Sequence, residues 1–185
     1  MIIAVAVVAL GALAWVALAL RNALTREQRL ARTDGVTGVR SARAFHESAG
    51  AEIDRARRYR HPFSVACVDL GHRVGDDLLR LAANSLRASL RATDVIARLG
   101  RDEFIVLLPE TPSAPARVVL EKLRAGLLGL RGADGRQFGV SIGGVTFLNP
   151  PRSVDEIVRA TDERVVEAKA TGGISHVTWN AVPEV

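Results

Sequence analysis

The first twenty residues of the chain strongly limit how it can fold. Residues Met1–Leu20 contain no charged side chain and are almost entirely apolar. A helix of that length rises about 30 Å, which matches the hydrocarbon core of a bilayer. The segment has neither the basic start nor the shorter apolar run of a secretory signal peptide. We therefore predict a transmembrane helix over residues 1–20, with the remaining chain folding outside the bilayer.

The residues that follow this segment predict its orientation. Arg21, Arg26, Arg29 and Arg32 come directly after the apolar run, and the positive-inside rule keeps such a flank in the cytoplasm. We expect a single-pass protein of the inner (cell) membrane with a cytoplasmic C-terminal domain, joined by a linker helix over residues 21–33. A cleaved or uncleaved signal peptide, or one helix of a truncated membrane region, are the alternatives.

Composition limits the partners of the remaining chain. Hydrophobic residues make up 48% of the sequence, which is enough for a packed core. The one cysteine, Cys67, cannot form a disulfide within the chain. The net charge of +5 is spread along the sequence and aromatic residues make up only 4%. We therefore do not predict nucleic acid as a partner, because neither a basic cluster nor a stacking surface is evident.

Periodicity and turn residues predict alternating helices and strands after residue 34. Helices are expected over residues 41–59, 74–91, 116–130 and from 153 onward, and strands over 63–70, 94–99, 103–108, 138–147 and 174–179. Gly100-Arg101 is expected to form a two-residue type II′ hairpin loop, whose first position favours glycine. This order indicates an α+β sandwich with a mostly antiparallel central sheet flanked by helices.

The hairpin carries a motif that is typical of one family. It reads Arg98-Leu-Gly-Arg-Asp-Glu-Phe104 and resembles the Gly-Gly-Asp/Glu-Glu-Phe turn of the GGDEF family, the diguanylate cyclases. Four further segments resemble the family's pattern in the same order: 34–45, 55–62, 140–145 and 160–172. The resemblance implies the nucleotidyl-cyclase-like sandwich of that family over residues 34–180, with its core at 61–180 and a tail at 181–185.

The resemblance also implies a chemistry. The family joins two GTP molecules into cyclic di-GMP and two diphosphates, in an antiparallel homodimer that uses Mg²⁺. By resemblance, the metal ligands are Asp69, the carbonyl of Leu70 and Asp102; the catalytic residues are Asp102 and Glu103; and the substrate-binding residues are Asp76, Gly100 and Lys169. Without the family, these acids would be interpreted as solvated residues at strand ends.

Four departures from the family pattern affect the nucleotide site. A stretch that carries phosphate and guanine contacts in the family is missing between Leu70 and Gly71. Arg101 stands where the family has a glycine that lets the backbone approach the nucleotide. Gly173 stands where a phosphate-binding arginine is expected, and Val166 replaces a tyrosine. We therefore predict a degenerate domain with weak or absent cyclase activity, and Mg²⁺ binding only if the metal site is retained.

A second motif indicates retained ligand binding. Arg91-Ala-Thr-Asp94 resembles the family's R-x-x-D inhibitory site, where Arg91 and Asp94 would bind cyclic di-GMP. An arginine suits that ligand because its planar guanidinium binds phosphate or guanine in a bidentate manner. The alternative is an arginine at a helix end beside an unrelated aspartate. We predict a cyclic di-GMP receptor or interaction module; the alternatives are an active cyclase that binds GTP and a structural remnant or a sequence error at the Leu70–Gly71 junction.

Overall fold

The computed structural model describes residues 15, 31–71, 74–131, 135, 139–171 and 173–179. The chain forms two units, Met1–Ala31 and Arg32–Val185. The predicted transmembrane helix, apart from Trp15, lies outside the described residues, as do most of the predicted linker helix and the tail. Among the residues described, no helix has the length and apolar character needed to cross a membrane.

A six-stranded sheet forms the centre of the second unit. Its strands are β1 (Arg40–Ser41), β2 (Phe63–Asp69), β3 (Val95–Arg98), β4 (Glu103–Leu108), β5 (Ser141–Phe147) and β6 (Ile174–Trp179), in the order β1-β3-β4-β2-β5-β6. The central pairs β3/β4, β4/β2 and β2/β5 are antiparallel, whereas the outer pairs β1/β3 and β5/β6 are parallel. The sheet is therefore mixed: its central pairs are antiparallel as predicted, but its two edge strands are added in parallel through crossovers, which was not predicted.

Helices cover both faces of this sheet, as the sequence predicts. They are α1 (Ala42–Tyr59), α2 (Asp76–Ser89), α3 (Ser113–Leu128) and α4 (Val154–Thr171). One apolar core joins α1 and α4 to residues such as Val65 and Ile105. A second core joins α2 and α3 to their strand neighbours Ala66 and Val106. Successive strand residues thus point to opposite faces, and the sheet is buried on both sides.

Two glycines in β5 set how closely the helices approach the sheet. A Cβ on Gly143 would overlap the backbone of α4 at Val165, and one on Gly144 would lie 2.6 Å from Leu120 Cδ1 in α3. Real Cβ atoms do not tolerate such contacts, so only glycine permits this packing. The pair Gly143-Gly144 therefore fixes the positions of α3 and α4, which carry residues of both sites described below.

Two local predictions are wrong. Helix α3 begins at Ser113, not at 116; Pro115 lies in its first turn, where a backbone donor is not needed. The hairpin loop has three residues, because the Leu99 N–H donates to the Glu103 carbonyl at 3.0 Å. Gly100 does not have a positive φ, so the loop is not a two-residue type II′ turn. The short strand β1 was not predicted, since two residues give no periodicity.

Candidate functional site

Two predicted site carboxylates lie side by side at one end of the sheet. Asp69 ends β2, Glu103 begins β4, and the two residues are directly opposite in the antiparallel register. Their side chains therefore emerge on the same face, where facing like charges are unfavourable. Asp69 is only 6% exposed. A cation is needed at this position for both carboxylates to remain ionised.

Lys169, from the last turn of α4, supplies that cation. Its Nζ lies 2.7 Å from Asp69 Oδ2. Asp69 Oδ1 accepts a hydrogen bond from the Gly71 N–H at 2.8 Å. The hydrogen bond to Asp69 raises the pKa of Lys169. Both carboxylate oxygens of Asp69 therefore have a partner within the protein, and the ammonium group occupies the cation position beside it.

Two residues that were not predicted extend this cluster. Asp162 lies on α4 and Cys67 lies on β2, and the nearby Cys67 thiol acts to lower the pKa of the Asp162 carboxyl. Burial raises the pKa of Asp162 and of the Cys67 thiol. Asp162 precedes Lys169 by two helical turns, and Cys67 precedes Asp69 by one strand period. These spacings were visible in the sequence and place both residues on the face that carries Asp69.

The cluster shifts the pKa of Glu103. Burial raises the pKa of this carboxyl, and the nearby carboxylates of Asp69 and Asp162 raise it further. Lys169 partly opposes the shift. The site therefore holds three carboxyl groups against one ammonium group, so it would favour a further cation or a bound proton.

Asp102 joins this cluster from the hairpin loop. Its backbone carbonyl accepts a hydrogen bond from the Leu70 N–H at 3.0 Å, which ties the loop to the end of β2. The side chain is buried, and its Oδ1 has no hydrogen-bond partner among the described residues. Among all the residues that the structure describes, no group of three or more His, Cys, Asp or Glu side chains is arranged to hold a metal ion.

Arg98 holds the hairpin loop in place. Its guanidinium donates to both Asp34 oxygens at 3.1 and 3.3 Å, and to the carbonyls of Gly100 at 3.1 Å and Arg101 at 2.7 Å. Asp34 also accepts from the Thr37 N–H and hydroxyl. Burial alone would raise the pKa of Asp34, but the hydrogen bonds from Thr37 and Arg98 lower it. In the sequence, Arg98 and Asp34 were identified only as motif residues, and this positioning role was not predicted.

Gly100 and Arg101 have different surroundings in this loop. A Cβ on Gly100 would lie 2.9 Å from Glu103 Oε2, so the glycine leaves room for the Glu103 carboxylate. The Arg101 side chain is exposed, while its carbonyl is held by Arg98. The packing thus explains the glycine at position 100 by a contact inside the protein, independently of any nucleotide.

One predicted substrate residue, Asp76, is not brought to the Asp69 cluster. Asp76 begins α2 and is exposed, and α2 packs on the face opposite Lys169. Only residues 70–75 connect β2 to α2. Gly173 ends α4 by donating its N–H to the Ala168 carbonyl at 3.0 Å, and the Val166 side chain is exposed. Asp76 and Lys169 therefore lie on different faces of the sheet.

Arg91 and Asp94 form a turn at the start of β3. Asp94 Oδ2 accepts from the Arg91 N–H at 2.8 Å, and the Asp94 N–H donates to the Arg91 carbonyl at 3.1 Å. Arg91 is exposed, and its guanidinium forms no ion pair with any residue that the structure describes. The Asp94 carboxylate is therefore fixed by the main chain, while the arginine side chain extends into solvent.

Comparison with known proteins gives consistent matches. The family model described as "Diguanylate cyclase, GGDEF domain" matches residues 31–174. The response regulator PleD of Caulobacter vibrioides is 31% identical over 83% of this chain, which spans 37% of that protein's length. Similar folds are found in the diguanylate cyclase SiaD of Pseudomonas aeruginosa, in complex with its activator SiaC, and in the coiled coil and GGDEF domain of DgcB from Caulobacter crescentus, in complex with c-di-GMP. SiaD has a TM-score of 0.72 and 24% identity over 92% of this chain and 72% of its own. DgcB has a TM-score of 0.71 and 20% identity over 92% of this chain and 97% of its own.

Proposed function

The chain belongs to the GGDEF domain family of cyclic di-GMP signalling, and from that premise we propose that it is a degenerate member that binds cyclic di-GMP and turns over GTP weakly or not at all. The turn formed by Arg91 and Asp94 is the observation that carries the binding proposal. The contacts around Asp69 support the loss of turnover.

The Arg91–Asp94 turn offers a ligand both an oriented acceptor and a guanidinium donor. The Asp94 carboxylate is already oriented by the Arg91 N–H, so a ligand donor would meet an acceptor with little further ordering. The exposed Arg91 guanidinium can bind a phosphate or a guanine edge in a bidentate manner. A related fold, the GGDEF domain of DgcB from Caulobacter crescentus, was crystallised in complex with c-di-GMP, which supports this ligand.

The nucleotide site supports only weak catalysis. Asp69 is engaged by Lys169 and by the Gly71 N–H, so a metal or phosphate group would have to displace contacts that already exist. Only six residues, 70–75, connect β2 to α2, which is a short segment from which to build a wall for a guanine base. An unpaired guanine edge costs about 1–3 kcal/mol for each lost partner.

Mg²⁺ fits part of this site. Asp69, Asp102 and the Leu70 carbonyl would hold the ion, since Mg²⁺ commonly takes one or two carboxylates and completes its shell with phosphate oxygens and water. The buried Asp102 Oδ1 without a partner is the atom that most favours a cation. When bound, the ion would neutralise phosphate charge. Lys169 must first leave Asp69, which limits the occupancy of the site.

We propose that the protein is located in the inner membrane, as the sequence indicates. The apolar segment at residues 1–20 would anchor the protein in the inner membrane, with the GGDEF domain in the cytoplasm. A homodimer, as used by the family, would be the assembly in which any remaining cyclase activity occurs. Fusing alkaline phosphatase to the C-terminus tests the orientation, since an active fusion would place this end outside the cytoplasm.

Calorimetry tests the binding proposal. The detergent-solubilised full chain is titrated with cyclic di-GMP, alongside Arg91→Ala and a matched control, Arg58→Ala, which removes an exposed arginine from α1. We expect binding by the wild type and the control, and a loss of tenfold or more, about 1.4 kcal/mol, in Arg91→Ala. Equal binding by all three proteins, or no binding by the wild type, contradicts the receptor role.

An active cyclase is the second candidate, because Asp69, Asp102 and Glu103 are all present at one end of the sheet. Incubation with GTP and Mg²⁺ over a range of protein concentrations tests it, with cyclic di-GMP measured by chromatography. We expect no product above that of Asp102→Asn. Product that rises with protein concentration and disappears in Asp102→Asn would establish the cyclase instead.

A further inference from the structure

A cavity lies between α3 and the edge strand β6. It has a volume of about 380 Å³ and is lined by Arg117, Glu121 and Arg124 of α3 and by Ile174 and His176 of β6. None of these residues belongs to the predicted nucleotide site or to the Arg91–Asp94 turn. Arg117 and Arg124 are two helical turns apart, so both face the same side of α3.

A buried chain of hydrogen bonds fixes the His176 ring at this cavity. The Ser64 hydroxyl donates to the Thr111 carbonyl at 2.7 Å. Ser64 also lies 2.7 Å from the Thr146 hydroxyl, and Thr146 lies 2.9 Å from His176 Nε2. Ser64 and Thr146 are almost completely buried, so solvent does not reach the hydrogen bonds that they form. The imidazole is therefore held in one orientation.

The direction of these bonds assigns the tautomer of His176. A hydroxyl has one proton to donate, and Ser64 uses its proton on Thr111. The Thr146 hydroxyl must therefore donate to Ser64, which leaves it only as an acceptor toward His176. It follows that Nε2 carries a proton and that Nδ1 of the neutral ring carries none. Burial lowers the pKa of His176, and the nearby Arg117 guanidinium lowers it further, so the ring is neutral at pH 7.

The charges around the cavity favour an anion that can also donate a hydrogen bond. Arg117 and Arg124 bring two guanidinium groups to the cavity wall. The Arg117–Glu121 ion pair has a separation of 3.1 Å, and its side chains are 73% and 58% exposed. Such an exposed pair contributes little stability, so Arg117 can bind a ligand without much loss. The neutral His176 offers an acceptor at Nδ1 beside these donors.

We propose that this cavity binds a phosphate group that carries a proton, either free hydrogen phosphate or the monoanion of a small molecule's phosphomonoester. The guanidinium groups of Arg117 and Arg124 would donate to the phosphate oxygens, and the phosphate O–H would donate to His176 Nδ1. Sulfate has the same shape but lacks the proton at neutral pH. It would therefore bind only after His176 is protonated, when Nδ1 becomes a donor. Phosphate and sulfate should thus have different pH dependences.

Nuclear magnetic resonance of the histidine rings tests this proposal on the full chain, with His176→Gln identifying the His176 signal. The ring is titrated with pH in the absence of anion, with inorganic phosphate, with a simple alkyl phosphomonoester and with sulfate. The variants are Arg117→Gln, Arg124→Gln and the control Lys122→Gln, which removes an exposed charge from the same helix. Far-UV circular dichroism verifies that each variant is folded.

The expected results are specific to the site. At pH 7 phosphate should bind more tightly than sulfate, and saturating sulfate should raise the pKa of His176, because a nearby anion favours the charged ring. Arg117→Gln should weaken phosphate binding about tenfold and, without anion, raise the pKa of His176. The control should change neither, and Arg91→Ala should leave phosphate binding unchanged. Preference for the ester over free phosphate would identify an organic ligand.

Three results would overturn the proposal. One is that no anion changes the His176 signal. Another is that phosphate binds equally to the wild type and to Arg117→Gln and Arg124→Gln. The third is that Lys122→Gln loses as much affinity as the two arginine variants, since the binding would then depend on the general charge of α3. None of these outcomes depends on whether cyclic di-GMP binds at Arg91.

Discussion

The two turns at the ends of β3 are stabilised in different ways. The hairpin loop after the strand is held by Arg98, which binds Asp34 and two loop carbonyls. Among the described residues, the contacts that hold the Arg91–Asp94 turn before the strand join its own two ends. The guanidinium of Arg98 is therefore bound within the protein, whereas the guanidinium of Arg91 remains in solvent.

This difference separates the residues that maintain the fold from those that remain for a ligand. The hairpin loop carries the family signature, yet its groups contact each other: Arg98 contacts the loop, Glu103 contacts Gly100, and Asp69 contacts Lys169. A ligand there competes with existing bonds. At the Arg91–Asp94 turn it competes only with water. Substitutions should therefore affect stability at the first turn and binding at the second.

The largest effect on stability is expected for Arg98→Ala. The side chain is only 12% exposed, and its loss leaves the Asp34 carboxylate and two carbonyls without their donor. We expect the free energy of unfolding to fall by about 3 kcal/mol, measured by urea denaturation. Arg91→Ala is the matched control and should change it by less than about 0.5 kcal/mol. Similar losses in both variants would contradict the distinction between the turns.

Lys169→Met should have the next largest effect, because it leaves Asp69 buried opposite Glu103 without a cation. Lys169 is 45% exposed, so the loss should be about 2 kcal/mol at pH 7, less than for a fully buried pair. The control is Lys122→Met on the exposed side of α3. Unfolding by urea gives the loss, and equal stability of Lys169→Met and the wild type would contradict a structural ion pair.

The pH dependence of this difference has a defined sign. The pKa of Lys169 is raised in the folded protein above its ordinary value of 10.5. Its contribution to stability is therefore fully present below that value and is lost as the pH rises through the raised folded pKa. The stability of the wild type and Lys169→Met should converge at strongly alkaline pH. A constant difference across that range would assign the effect to packing.

Much of the fold was predictable from the sequence, for physical reasons that differ between elements. The stripe Leu78, Leu79, Ala82 and Leu86 predicted α2, because these residues recur at the helical period and are buried. The paired strands β3 and β4 were predicted from apolar runs on either side of Gly100. The parallel pairing of the edge strands β1 and β6 was not predictable, because the sequence of a strand does not indicate which other strand it pairs with after a crossover.

The site was less predictable, because its geometry depends on contacts between distant parts of the chain. Family resemblance indicated Asp69, Asp102, Glu103 and Lys169, but not that Lys169 would pair with Asp69 across one hundred positions of sequence. It also did not indicate that Arg98 would reach back to Asp34. The series of hydrogen bonds that ends at His176 joins side chains from three strands. Side-chain pairs of this kind follow from sheet order, which periodicity does not determine.

Gly100→Ala should have a smaller effect than the first two substitutions. The new Cβ would lie 2.9 Å from Glu103 Oε2, but that atom is the end of a flexible side chain and can move. We expect a loss of about 1 kcal/mol in the free energy of unfolding. In Gly100→Ala combined with Glu103→Ala the loss should disappear, since the contact is absent. A loss that persists would mean that the loop backbone itself excludes a side chain.

The smallest effect on stability is expected at the Arg91–Asp94 turn, where the effect on binding should be largest. Asp94→Ala removes the acceptor for the Arg91 N–H and should lower stability by about 0.5–1 kcal/mol, because the bond is exposed to water. Asp94→Asn keeps an acceptor oxygen and should retain the stability of the wild type. Both variants remove the carboxylate charge and should weaken cyclic di-GMP binding, as measured by calorimetry. If Asp94→Asn binds as tightly as the wild type, the turn contributes only its shape, and ligand recognition must depend on Arg91 alone.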